Sequence, residues 1–241
     1  LLVGTRFDAI KLGAADQFLT DGDQSGERKY QRFNPSVGLS YAISPKTNLY
    51  TNLASSFESP TLSELSNNPT GIGGFNPDLN PQKAVNYEVG IKHFLGSHIR
   101  LDEAIFQVSV QDELVPYQLK EFPGRVFYRN AGNSQRRGVE VGISASLTKG
   151  LVFFGNYTYS DFVYKNYQTT AGTFDGKSLP GIPKHTAYGE LRYFAQNGLF
   201  GIVQVRHASQ LFADDANAVV SNAFTILNLR AGYQLKISKL Q

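Results

Sequence analysis

The chain contains 241 residues, with 23 Lys+Arg against 20 Asp+Glu for a formal net charge of +3, and it contains no Cys, Met or Trp. Without Cys it can form no disulfide framework, thiolate zinc site, iron–sulfur cluster or thiol nucleophile. Its basic residues are scattered and form no stripe or run, which argues against nucleic acid as a partner.

Alternation of apolar and polar residues predicts β-strands along most of the chain. Between residues 85 and 92, for example, Val85, Tyr87, Val89 and Ile91 occupy one face and polar residues or Gly the other. No helical period competes in such windows. The same reading gives ten strands and essentially no helix, with the strands at 1–16, 30–43, 47–57, 83–95, 98–111, 125–147, 151–161, 184–195, 199–210 and 223–236.

The links between these strands alternate strictly between short and long. The short links lie at 44–46, 96–97, 148–150 and 196–198 and carry turn residues such as Pro45 and Gly150. The long links lie at 17–29, 58–82, 112–124, 162–183 and 211–222. An up-and-down antiparallel sheet would then have all tight turns at one end and all long loops at the other, which is typical of outer-membrane barrels.

A membrane helix is excluded because the longest nearly apolar run, residues 199–203, is far shorter than the roughly 18 residues a helical span needs. A soluble β-sandwich, with the apolar face as its core, is the alternative that alternation alone leaves open. The segregation of loop lengths favours a membrane barrel, in which the polar face surrounds water.

Short motifs give no sign of catalysis. The run Gly71-Ile72-Gly73-Gly74 lies in a long loop and predicts flexibility and no phosphate site. The four His residues lack a metal-binding spacing, no Gly-x-Ser-x-Gly elbow occurs, and Asp214-Asp215 is interpreted as solubilising charge. We therefore expect no enzyme, no metal site and no cofactor.

Four strings resemble those of the TonB-dependent outer-membrane receptors. The first, at residues 50–65, is a strand ending in an aromatic residue followed by Pro and Glu-Leu. The most specific is Asn76-Pro77-Asp78-Leu79-Asn80-Pro81-Gln82 with Asn86-Tyr87-Glu88-Val89-Gly90-Ile91-Lys92, in which Gln82 replaces the family's usual Glu. The others are Asn130-Ala131-Gly132 with Gly138-Val139-Glu140, and Leu179-Pro180-Gly181-Ile182-Pro183-Lys184-His185.

The resemblance implies an all-β, antiparallel, up-and-down transmembrane β-barrel in the bacterial outer membrane. Residues 1–241 would form one part of the barrel domain, roughly strands 11 to 20 of about 22, without the plug domain. The first residues lack a starting Met and a signal-peptide layout, so we expect the chain to be cut from a longer protein, with about two strands following residue 241.

The implied function is active uptake of a scarce ligand, most often a ferric siderophore or similar chelate. The ligand would bind outside, and the TonB protein, contacting a part missing from this chain, would move the plug. Outer-membrane lipid would surround the barrel. An outer-membrane porin or barrel enzyme and a soluble β-sandwich binding module remain the alternatives.

Loops that mix aromatic and Arg side chains suit an anionic or aromatic ligand. By strand direction and parity, the residues we expect to face the lumen near the outer rim are Gln111, Tyr128, Tyr188 and Arg206. Arg125 and Tyr117 join them from a loop. These six residues are the predicted ligand-binding set.

Overall fold

The computed structural model describes residues 1–70, 74–130, 132–169 and 172–235. Several predicted features fall outside the described residues. They are Gly71, Ile72 and Gly73 of the glycine-rich run, Ala131 of its motif and the strand end at Lys236.

Within the described residues the chain is built almost entirely of strands. A single short helix, α1 (Leu62–Ser66), and a 3-10 turn at Leu19–Asp21 interrupt them. The strands are β1 (Leu2–Ala14), β2 (Gly26–Ser44), β3 (Thr47–Glu58), β4 (Gln82–Leu95), β5 (Ile99–Gln111), β6 (Leu114–Gln118), β7 (Val126–Asn130), β8 (Asn133–Thr148), β9 (Leu151–Asn166), β10 (Gln168–Thr169), β11 (Gly172–Thr173), β12 (His185–Phe194), β13 (Leu199–Ala208), β14 (Leu211–Phe212), β15 (Val220–Ser221) and β16 (Phe224–Tyr233). No helix of the described chain is long and apolar enough to cross a membrane.

Ten of the strands form one antiparallel sheet in the order β1-β2-β3-β4-β5-β8-β9-β12-β13-β16. Each strand pairs with the next long strand along the chain, so the predicted up-and-down topology is confirmed. The described sheet is open, with β1 and β16 at its edges. The remaining short strands form three separate hairpins, β6/β7, β10/β11 and β14/β15, all inside long links.

One predicted strand is wrong. Residues 125–147 form two strands, β7 and β8, and only β8 belongs to the ten-stranded sheet, whereas β7 pairs with β6. The break falls at Gly132, whose φ of 76° lies in the left-handed region that a strand does not use. Smaller differences are that β2 begins at Gly26 and that β9 continues to Asn166.

Tight turns close four of the hairpins, and the long links gather at the opposite end of the sheet. Gly96, Gly150 and Gly198 have φ values of 65°, 82° and 96° in three of these turns. Glycine adopts such φ values without the steric cost that a side chain adds. The predicted alternation of short and long links is therefore confirmed.

Register puts like residues on the same face across many strands. One row of directly paired residues on the polar face joins Lys92, Asp102, Asn156, Tyr188 and Arg206, with Gly142 in β8 between Asp102 and Asn156. On the other face Val89, Ile105 and Val139 are paired in the same way, and all three are exposed. The sheet thus has a continuous polar face and a continuous apolar face.

Aromatic rings on the polar face cover glycines of neighbouring strands. Phe106 covers Gly138, Tyr50 covers Gly90 and Phe200 covers Gly232, so a Cβ at any of these glycines would lie far inside contact distance of the ring. Such pairs fill the gap that glycine leaves and help to fix strand register.

Gly138→Ala tests this packing, with Gly201→Ala as the matched control. A Cβ at Gly138 would collide with the Phe106 ring and lie 2.5 Å from the Tyr159 carbonyl oxygen, whereas a Cβ at Gly201 meets no atom within 4 Å. Gly138→Ala should lower the free energy of unfolding by about 1–3 kcal/mol. Unfolding in detergent micelles, followed by circular dichroism, measures the change, and equal stability of the two variants would contradict the account.

Candidate functional site

Most of the buried apolar residues of the described chain lie at the long-loop end of the sheet. Val115 of β6, Tyr164 of β9, and Tyr167 and Leu179 of the following link form one cluster, with Phe162 and Phe174 packed against it. A single sheet with two open faces has no interior of its own. The long links therefore supply the packed core that the sheet lacks. We call this cluster and the links around it the loop body, and it is the candidate site.

Residues of the sequence motifs make hydrogen bonds that stabilise this loop body. Asn130 in β7 donates through Nδ2 to the Asn80 carbonyl at 2.8 Å, and its Oδ1 accepts from the Asn80 backbone N–H at 2.8 Å. Thr61 and Glu64 form a capping box at the start of α1. The link between β3 and β4 is thereby tied to the β6/β7 hairpin.

Arg129 joins that hairpin to the link between β9 and β12. Its guanidinium lies 4.7 Å from the Tyr117 ring centroid and 5.6 Å from that of Tyr167, and its Nη2 donates to the Tyr167 hydroxyl at 3.1 Å. Burial raises the pKa of Tyr167, against the opposing effect of the Arg129 hydrogen bond, so this phenol stays protonated and able to donate.

Asp215 connects a third link, the one between β13 and β16, to Tyr164 and Tyr167. Its carboxylate accepts from the Tyr164 hydroxyl at 2.9 Å and from the Tyr167 hydroxyl at 3.1 Å. Nearby, Asn217 pairs with the backbone of Ser178 in both directions, at 2.8 and 2.9 Å. Two links that are remote in sequence are thus held by four side chain hydrogen bonds.

A cavity of about 510 Å³ lies between three long links, those that join β5 to β8, β9 to β12 and β13 to β16. Its walls are mostly apolar, and its charged residues are Glu113, Arg136, Asp214 and Asp215. Glu113 is buried and its Oε1 accepts from Arg136 Nη2 at 2.6 Å. The volume lies in the range of small-molecule sites, and a few charged groups in an apolar wall are typical of such sites.

A second polar cluster lies lower on the polar face, around the buried Glu190 of β12. Tyr188 donates to Glu190 Oε2 at 2.6 Å, and Arg192 and Gln204 donate to the same carboxylate. The Arg192 guanidinium also lies 4.8 Å from the Phe154 ring centroid. Both oxygens of this carboxylate therefore accept hydrogen bonds from neighbouring side chains of the sheet.

The structure brings the predicted ligand-binding residues together in two pairs. Tyr117 and Arg125 both pack on Phe127. The ring centroids of Tyr117 and Phe127 are 6.0 Å apart, and the Arg125 guanidinium lies 5.2 Å from the Phe127 ring centroid. Tyr188 and Arg206 are directly paired across β12 and β13 on the polar face.

The parity argument does not hold for the other two residues, and a ligand-binding role for any of the six stays a prediction. Gln111 pairs with Lys83 and Asn133, and by alternation along β5 it shares the face of Ile105, opposite to Tyr188. Tyr128 pairs with Pro116 in the β6/β7 hairpin, so the parity of the large sheet does not apply to it. The first error came from counting parity in the wrong phase and the second from the merged strand 125–147.

Sequence reasoning gave no role to Glu113, and it interpreted Asp214-Asp215 as solvated charge. In the structure Asp214 accepts from the backbone N–H groups of Ala218 and Val219, and Asp215 holds two phenols. The only available signal was two adjacent acids in a link between apolar strands, which does not reveal partners 48 and 51 residues away.

The β-barrel family model described as TonB dependent receptor-like matches residues 1–241, the full length of the chain. The chain belongs to this family. The predicted fold class is thereby confirmed, and the polar face of the described sheet is the face that lines the interior of such a barrel.

Several proteins similar to this receptor barrel are transporters or receptors by name. The ferrichrome outer membrane transporter/phage receptor of Escherichia coli K12 is 27% identical over 160 residues, which cover 64% of this chain and 20% of that protein. The ferrioxamine B receptor of Salmonella typhimurium is 21% identical and covers 97% of this chain and 31% of that protein. The crystal structure of the siderophore receptor PiuA from Acinetobacter baumannii superposes with a TM-score of 0.77 at 21% identity, covering 97% of this chain and 34% of that one.

This receptor barrel chain therefore spans about a fifth to a third of the length of these relatives. Among the residues that the structure describes, no group of three or more His, Asp or Glu side chains is arranged to hold a metal ion. The chemistry that the site offers is hydrogen bonding, charge and aromatic contact.

Asp215→Ala should loosen the loop body, because it leaves two buried phenols without their acceptor at a cost of about 1–3 kcal/mol each. We expect faster backbone hydrogen exchange in residues 162–169 and 172–179 of the receptor, with little change in β4 and β5. Glu121→Ala, at an exposed acid in another link, is the control. Unchanged exchange in Asp215→Ala would show that the two hydrogen bonds do not hold the links together.

Proposed function

We propose that the protein containing this chain is a bacterial outer-membrane receptor for TonB-dependent uptake of a ferric siderophore or a similar chelate. The observation that carries the proposal is the cavity between three long links at one end of a ten-stranded receptor sheet. The family match and the names of the similar proteins support the same class of ligand.

The two ends of the sheet have different roles. The long links form a packed body with an open cavity, which suits capture of a ligand from outside, and the tight turns only close hairpins. Residues 1–241 form a continuous part of one barrel domain. The polar face, including the Glu190 cluster, borders a water-accessible interior that holds a polar plug supplied by another part of the protein.

The apolar face contacts outer-membrane lipid. Large apolar side chains are exposed on this face, among them Leu53, Tyr87, Val89, Ile105 and Val139. Exposing such side chains is unfavourable in water and favourable in a bilayer. The TonB protein would act through a part of the receptor outside this chain and supply the energy that moves the plug.

The alternatives fit the structure less well. A soluble β-sandwich needs a second sheet over the apolar face, and the described residues form one large sheet. A passive porin does not need a packed loop body, and a barrel enzyme needs an activated nucleophile or acid–base pair, which the cavity of this receptor does not display.

Uptake of ⁵⁵Fe-labelled chelates by iron-starved cells tests the proposal. Cells that lack the gene should take up a labelled ferric siderophore only when the full-length receptor is restored, and uptake should stop when TonB is deleted or the proton gradient is collapsed. Deleting residues 114–130, the β6/β7 hairpin, should abolish uptake while the barrel still reaches the membrane. Uptake that continues without TonB would favour a passive pore.

A further inference from the structure

A groove of about 480 Å³ lies on the apolar face of the sheet, over strands β3, β4, β5, β8 and β9. Large apolar side chains form much of its wall, and Leu53, Val89, Ile105 and Val139 are all exposed there. The last three are directly paired across β4, β5 and β8. The described residues that line this groove differ from all those that line the loop cavity, so the two are separate sites.

The polar side chains of the groove lie together at its long-link end. The next row on the same face, toward the long links, consists of Tyr87, Gln107 and Arg137, which are directly paired across β4, β5 and β8. In the other direction the next residues of β8 on this face are Val139 and Val141. Arg137 therefore lies at the outer boundary of the apolar band, which is the depth of lipid headgroups and of the aromatic belt.

The Arg137 guanidinium has donors available for an anion. Its side chain is exposed, and its Nη2 donates to the neutral amide of Gln135. It makes no ion pair with Asp161, its register partner in the described part of β9, and Asp161 does not line the groove. A guanidinium binds phosphate oxygens through charge-assisted and often bidentate hydrogen bonds, so a phosphate group is the anion that fits a lipid-facing Arg.

We propose that this groove binds a phosphate-bearing lipid of the outer leaflet, with the phosphate on Arg137 and one acyl chain between Ile105 and Val139. In this family of barrels the long links face the outside of the cell. The cation lies toward the long links and the apolar wall toward the tight turns, which is the order of phosphate and acyl chain in an outer-leaflet lipid. The inference rests on the family of the chain and goes beyond the proposed uptake, because it gives the barrel a selective lipid site.

Two lipids that differ by the phosphate group test the inference. Phosphatidic acid and diacylglycerol with the same brominated acyl chains are added to phosphatidylcholine vesicles that contain the full-length receptor. A fluorophore on Thr51→Cys, at a residue that lines the groove, is quenched when a brominated chain occupies it. We expect phosphatidic acid to bind there about 5- to 10-fold more tightly, as one Arg beside an anionic headgroup implies.

Substitutions at Arg137 separate its charge from its packing. Arg137→Gln should bring the two lipids within about twofold of each other, whereas Arg137→Lys should keep the preference, because an ammonium group also binds phosphate. Lys120→Gln, at an exposed cation between β6 and β7 and outside the groove, is the matched control and should keep the full preference. If Arg137→Gln does not fold, the comparison of the two lipids on the labelled receptor still decides the matter.

The possible results separate the lipid site from the proposed uptake. Equal quenching by the two brominated lipids overturns the phosphate site, and a preference that survives Arg137→Gln overturns the role of Arg137. Loss of the preference when inorganic phosphate is added shows that the acyl chain contributes nothing, which overturns the lipid as occupant. Ferric chelate binding should be the same in Arg137→Gln and the unaltered receptor, so failure of the receptor to bind chelates contradicts the proposed function alone.

Discussion

The structure depends on satisfying every backbone hydrogen bond of the sheet through neighbouring strands, because a bilayer offers no alternative donor or acceptor. Pairing from β1 to β16 meets this constraint for the inner strands of the described sheet, apart from register shifts near strand ends, whereas the outer edges of β1 and β16 have no partner strand among the described residues. Once register is set, alternation sends apolar side chains to one face and polar side chains to the other. The glycine and aromatic pairs, such as Gly138 with Phe106, then become understandable as devices that hold register on the polar face.

Because the sheet itself has no core, the packing that usually stabilises a domain is moved into the long links. Tyr164, Tyr167 and Asp215 connect two of these links, and Arg129 connects the β6/β7 hairpin to them. The same contacts that order the links also leave the cavity beside Glu113. The proposed binding site and the loop packing therefore share the same residues, so substitutions there should change both ligand binding and loop stability.

Much of the fold was readable from the sequence because a period of two and turn residues are local signals. The ten-stranded topology and the separation of loop lengths follow from them, and the motif at Asn76 and Glu88 indicated the family. The merged strand 125–147 shows the limit, since β7 is as strand-like locally as β8 and differs only in its partner. The site was less accessible, because the contacts of Asp215 and Glu113 join residues far apart in sequence, and the phase of Gln111 depended on register.

Residue-by-residue accessibility along β8 tests the central claim, that one face of the sheet meets lipid and the other lines the interior. The chain has no Cys, so single spin labels can be placed at Val139, Glu140, Val141, Ile143 and Ser144 without a competing thiol in this segment. In the full-length receptor in lipid bilayers, electron paramagnetic resonance should show high oxygen accessibility at Val139, Val141 and Ile143 and low oxygen accessibility at Glu140 and Ser144. Oxygen accessibility that does not alternate, or alternates in the opposite phase, would contradict the account.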